Sequence, residues 1–142
     1  MLEWRKLWIL WVLVIVFVST MPWSDFQGHS HWDLVRWIPF HDDPPTPRTL
    51  FDVVGNLLLY MPFGYLYVRY RLCLNGMVFL RVTLLAALFS IGGELFQVFT
   101  HYRIASATDV CSNVIGAAIG VAIAMKLIKR GKVHRFSYKG NS

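Results

Sequence analysis

Apolar residues run along this chain in blocks rather than alternating with polar ones. The first block, "WRKLWILWVLVIVFVSTMPW", covers Trp4–Trp23; the others lie at Leu50–Tyr70, Val78–Phe99 and Thr108–Ile128. About 20 residues of helix reach roughly 30 Å, the thickness of a bilayer's hydrocarbon core. The pattern predicts an all-α fold: an integral membrane four-helix bundle forming one domain over residues 1–142, with a basic tail at 129–142. The strictly apolar middle of the first block, Leu7–Val18, is short and has a basic start, which is also how a signal peptide reads. No small-x-small cleavage site follows it, so a retained helix is expected. Pro62 should kink the second helix rather than end it, because neighbouring helices can satisfy the freed carbonyl. Trp4, Trp8 and Trp11 share one face near one end of the first helix, and Trp23 marks the other, in the manner of aromatic belts.

Composition sharpens this picture. The chain is 56% hydrophobic and 15% charged, with six Trp and ten Phe, which is unlike a soluble domain of 142 residues. Its formal charge is +6. The basic residues sit between the apolar blocks instead of forming a patch on a polar domain, so no nucleic-acid partner is expected. With four spans, eleven of the fourteen Lys and Arg fall on one side: Arg5, Lys6, Arg69, Arg71, Arg81 and six in and near the tail. Arg36, Arg48 and Arg103 fall on the other. The positive-inside rule then puts both termini in the cytoplasm. The first outer loop, about 24–49, is the longest. Within it "HWDLVRWIPF" is apolar enough to lie on the membrane surface, and "DDPPTPRT" is a proline-stiffened connector. His29 and His31 read as solvated loop residues. Cys73 and Cys111 fall near opposite faces of the bilayer and are expected to stay unpaired packing residues.

The chemistry lies at the outer ends of the spans. "DVVGN" (Asp52–Asn56) and "DVCSN" (Asp109–Asn113) each open an apolar helix that enters from outside. Capping of free N–H groups and the helix dipole account for the aspartates alone. They do not account for Asn56 and Asn113, one turn deeper on the same faces. The third helix carries Ser90, Glu94, Gln97 and His101 at spacings of four, three and four, a single polar stripe. Glu94 sits about 8 Å deep at about 1.5 Å per residue. A carboxylate there costs a few kcal/mol unless paired, hydrated or protonated, which makes it a functional candidate. The fourth helix continues into "GAAIG" (Gly116–Gly120), a small-xxx-small seam for close packing. The economical arrangement turns the three stripes inward, making an outward-opening polar pocket with Arg103 as countercharge. The repeated Asp-Val-x-x-Asn also raises a parallel two-hairpin repeat.

These residues resemble the VanZ-like membrane protein family. "FDVVGNLLLYMPFG" and "GGELFQVFTHYRIASATDVCSNVIGAAIG" match its ordered pattern at Asp52, Asn56, Pro62, Gly64, Glu94, Gln97, Arg103, Asp109, Asn113 and Gly116. "WIPF" at Trp37–Phe40 is similar to the family's Ile-Pro-Phe loop. The resemblance implies a multi-pass protein of the bacterial inner membrane. The family takes its name from a protein linked to teicoplanin resistance, which implies a bearing on glycopeptide antibiotic resistance but no settled reaction.

Three readings follow. In the leading one, a non-catalytic membrane protein binds an envelope lipid headgroup or lipid-linked glycan precursor. Asn56, Gln97, Arg103 and Asn113 bind it, and Asp52, Glu94 and Asp109 contact hydroxyls or a bridging cation. In the second, Asp52, Glu94 and Asp109 are catalytic carboxylates of an intramembrane enzyme acting on a phosphoryl or glycosyl lipid. Against it, the sequence has no Ser-His or Cys-His nucleophile motif. In the third, the stripes hold a structural or assembly subunit together. No cofactor is expected, a divalent cation at the carboxylates being the alternative, and no protein partner is identified.

Overall fold

Four long helices account for most of the chain in the computed structural model, which describes residues 2–72, 75–100 and 103–139, the last nine by backbone alone. They are α1 (Leu2–Thr20), α2 (Pro47–Arg71), α3 (Gly76–Gln97) and α4 (Ala107–Lys139). All four are long and apolar enough to cross a membrane, and no strand occurs among the described residues. The fold is therefore the all-α membrane bundle that the blocks imply. Large apolar side chains such as Leu58, Leu84 and Leu88 point away from the bundle, the surface that lipid covers. The core is small by comparison and centres on Ile15, Tyr60, Phe63, Val68, Val82, Ala117 and Val121. At 33 residues, α4 is about 50 Å long, so the basic tail is a helical extension of it.

The helices begin earlier than hydropathy indicates. Thr46 caps α2, its side chain accepting from the Thr49 N–H, and Pro47 occupies the first helical position. Asp52 is thus well inside α2. At α4 the cap is Ser106, whose hydroxyl oxygen accepts from the Thr108 N–H at 3.1 Å. Neither aspartate of the repeated motif is a capping residue. Capping, the ordinary explanation for both, fails for Asp52 outright. For Asp109 it leaves only the favourable position in the first turn.

The helices α2 and α4 run side by side, nearly backbone to backbone. A Cβ added at Gly116 would collide with the Leu57 backbone, at Gly120 with that of Met61, and at Gly64 with that of Ala117. The contacts advance together along both chains, so the helices are parallel, and the two Asp-Val-x-x-Asn copies lie next to each other at similar depth. This is the close approach that the glycine spacing permits.

The tryptophans of α1 face α2 instead of forming a lipid belt. Trp8 packs against Phe63, Tyr67 and Tyr70 with ring centroids 5.6, 5.5 and 6.3 Å away. The Arg69 guanidinium lies 4.6 Å from the Trp4 ring. The Trp11 indole N–H donates to the Leu59 carbonyl at 2.8 Å. That is one residue past the Leu58 carbonyl, which Pro62 leaves without its helical donor. The α2 helix runs on through Pro62.

The long segment between α1 and α2 is stitched onto the α3–α4 connection. Gln27 and His31 donate backbone N–H groups to Phe99 and Val98 at 2.7 and 2.9 Å. Arg36 donates to Ala105 at 3.0 Å, and Ala107 donates back to Arg36 at 2.9 Å.

Candidate functional site

The stitched loops close over the end of the bundle where α2 and α4 begin. Beneath them lie two adjoining cavities of about 220 and 250 Å³, the first mainly polar and the second of mixed lining. Asp52, Arg103 and Asp109 line both. The first also takes in Arg36, Asp43, Arg48, Gln97 and Ser106, and the second reaches down to Asn56. Five of the seven residues expected from sequence therefore share one chamber: Asp52, Asn56, Gln97, Arg103 and Asp109. The parallel register of α2 and α4 sets the two aspartates side by side. Asp109 interacts electrostatically with Asp52, Asp43 and Arg103, and Asn56 lines the second cavity beside it.

The remaining two residues sit elsewhere. Glu94 stands behind the chamber, where its Oε2 accepts the backbone N–H of Ser106 at 2.7 Å. The carboxylate thus ties α3 to the start of α4, while the fields of Asp109, Arg103 and Asp43 still reach it. Asn113 is buried a turn deeper, and its Nδ2 donates to Ser90 Oγ at 2.8 Å. This bond joins α4 to α3, the bridging role usual for an amide in a membrane bundle. His101, the last residue of the α3 stripe, and Cys73 lie outside the described residues. Cys111 is unpaired and half-buried.

Arg103 is more than a countercharge. Its Nη1 donates to the Val18 carbonyl at 3.1 Å, anchoring the end of α1 to the chamber wall. Among the described residues no carboxylate lies within ion-pair distance of it, so its charge faces the cavities as a whole. Nor is any group of three His, Cys, Asp or Glu among them placed to hold a metal ion.

The residue that sequence reasoning missed is Asp43. Its Oδ1 accepts from Arg36 Nη1 at 2.7 Å, and its Oδ2 accepts from the hydroxyls of Ser106, at 3.0 Å, and of Thr108. Thr108 Oγ1 in turn accepts the N–H of Phe40, a residue held at a positive φ of 60°. One carboxylate thus clamps the outer loop, its reversal and the first turn of α4 over the chamber. Burial pushes the Asp43 carboxyl up, but hydrogen bonds from Thr108, Arg36 and Ser106 outweigh it and hold the pKa below the ordinary carboxylate value. Asp42, on the exposed side of the turn, is also held low, chiefly by the Ile38 N–H. In sequence, Asp43 belongs to a proline-rich connector, and no local signal marks it as a clamp.

A family model described as VanZ/LLP1 matches residues 7–129, a stretch that takes in the four spans almost whole and both cavities. Neither a curated protein nor a solved structure matches the chain.

Proposed function

The chain belongs to the VanZ/LLP1 family, and from that membership and the chamber's geometry we propose that it is a non-catalytic membrane protein binding the polar part of a lipid-linked envelope component. The observation that carries the reading is the convergence of Asp52, Asn56, Gln97, Arg103 and Asp109, from three helices and one loop, on adjoining cavities where the apolar spans end. Structural service explains Asn113 and part of Glu94. It leaves Asp52 and Asp109 unexplained, since neither caps a helix and both line open space. Arg48 and Arg103 offer charge and N–H donors to an anionic group, while Asn56, Gln97 and the aspartates suit hydroxyls or an amine.

In this reading the chamber faces outward and both termini lie in the cytoplasm of a bacterial inner membrane. The supporting observation is that eleven of the fourteen Lys and Arg sit at the other end. Occupancy by a cell-envelope precursor would alter access of a glycopeptide such as teicoplanin to its target, a link that rests on the family. A second reading, general acid–base catalysis on a phosphoryl or glycosyl lipid, draws support from the adjacent Asp52 and Asp109 carboxylates.

Native mass spectrometry of the purified chain with bacterial lipid extract tests the proposal. A retained envelope lipid, lost in Asp109→Asn and in Arg103→Gln with folding intact, is expected. A wild-type chain that emerges bare, or variants that hold lipid as well as it does, would overturn it. Turnover of an added lipid that disappears in Asp52→Asn would favour the enzyme.

A further inference from the structure

A second, apolar groove adjoins the chamber. It measures about 140 Å³ and is lined mainly by Trp32, Trp37, Ile91, Leu95, Val98 and Val110, with Ala107 and with Glu94, whose carboxylate is engaged by the Ser106 N–H, also in its wall. Arg36 and Ser106 belong to both the groove and the first polar cavity, so one wall separates charged space from hydrocarbon-like space. The groove opens towards the lipid-facing side of α3, where Ile91 and Leu95 are both 46% exposed. At its rim Trp32 and Trp37 stack with rings 7° from parallel and centroids 6.2 Å apart, both exposed. Indoles at that height suit the boundary between headgroup and acyl chain. The volume suits a segment of an acyl chain, the remainder of which would lie in the surrounding lipid.

The charges of the chamber narrow the head. Arg36 is neutralised by Asp43 at 2.7 Å. Arg48 and Arg103 then face Asp52 and Asp109 across the polar cavity, two positive and two negative groups with no ion pair among them in the described residues. A head that carries one sign only leaves half of these groups unanswered, whereas a phosphate beside an ammonium answers both.

Resting on the binding reading above, we propose that the ligand is a zwitterionic glycerophospholipid with a primary ammonium, one acyl chain lying in the groove between the Trp32–Trp37 rim and α3. The headgroup occupies the polar chamber, and the glycerol region crosses at Arg36 and Ser106. The apolar groove makes the site selective for a membrane-resident lipid over a free headgroup.

The test uses the full chain in detergent with four probes: dioleoyl phosphatidylethanolamine, dioleoyl phosphatidylglycerol, undecaprenyl phosphate and chain-free glycerophosphoethanolamine. Phosphatidylethanolamine should be retained at least about tenfold better than either other lipid. Ala107→Phe, which fills the groove, should cut that retention about tenfold and leave chain-free binding unchanged; Val110→Phe serves if Ala107→Phe does not fold. A phosphatidylethanolamine with a diazirine in its acyl chain should label α3 around 91–98 and the start of α4. Equal retention of all three lipids, or of phosphatidylglycerol or undecaprenyl phosphate above phosphatidylethanolamine, overturns the headgroup assignment. Labelling spread over the outer face of α1, or a groove-filled variant that retains lipid fully, overturns the chain assignment while chain-free binding keeps the polar chamber standing. Failure of every probe to bind overturns the phospholipid assignment, and the binding reading itself falls only if the wild-type chain also emerges bare from bacterial lipid extract.

Discussion

Replacing Asp43 by Ala should release the roof of the chamber without melting the bundle beneath it. The substitution removes the acceptor of three side-chain donors: Arg36, Ser106 and Thr108. Arg36 is left half-buried and unpaired, with 30% of its side chain exposed against 6% for Asp43. Breaking a fully buried ion pair costs about 3–5 kcal/mol, so partial exposure of Arg36 sets the expectation near the lower end, about 3 kcal/mol. That corresponds to a factor on the order of 100 in the opening equilibrium. Native-state hydrogen exchange in detergent reads it directly. The amides of Arg36, Phe40 and Ala107, all bonded across the stitched loops, should lose about 100-fold in protection, while those of the α3 core around Val82–Ala86 keep theirs. The pH dependence has a definite sign. The folded pKa of Asp43 is lowered, so its contribution is complete above the ordinary carboxylate value of 3.8 and is lost as pH falls through the lower folded value. The part of loop protection that Asp43 supplies, read as the difference between wild type and Asp43→Ala after correction for intrinsic exchange, should be flat from neutral pH to about 5 and decline only in stronger acid. Unchanged protection at Arg36 and Ala107 in the variant, or uniform loosening of loop and core together, would refute the clamp.

Other expectations follow from the packing. Gly120→Ala should destabilise the bundle by about 1–3 kcal/mol or more in a detergent unfolding titration, because its Cβ meets the Met61 backbone. Gly92→Ala meets nothing within 4 Å and should be neutral or stabilising by up to about 1 kcal/mol in the same titration. Trp11→Phe should cost about 1 kcal/mol through the lost bond to the Leu59 carbonyl, measured by the same unfolding curve. Glu94→Gln keeps an acceptor for the Ser106 N–H and should fold normally, whereas Glu94→Ala should lower thermal stability; equal melting of the two variants would dismiss the α3–α4 tether.

The parts of this protein that repeat along a helix are legible in the sequence alone. Block length yields the four spans, and the offsets of Asp52 from Asn56, and of Ser90 from Glu94 and Gln97, yield the polar stripes. Both are periodicities that the α-helix imposes on its own sequence. The glycine seam is legible for the same reason. Hydropathy places the start of α2 too late because a polar first turn hides a helix from it, although Thr46–Pro47 carries its own cap and first-turn signal. The roof is not legible. Asp43 bonds to Ser106 and Thr108, 63 and 65 residues away, and Arg36 pairs with Ala105 and Ala107 through its backbone. Those partners are chosen by tertiary closure, and nothing local distinguishes Asp43 from its neighbour Asp42, which faces solvent. The division of labour between Asn56, at the cavity, and Asn113, in the core, is hidden by the identity of the motif that carries them.

The direct meeting of α2 and α4 has a mechanical consequence. With backbone set against backbone at three glycines, no cushion of side chains lets one rod slide past the other. Asp52 and Asp109 therefore ride on a single stiff strut, and their spacing is fixed before any guest arrives. Whatever breathing admits a molecule must come from the stitched loops above it and from α1 and α3, which grip that strut through side chains.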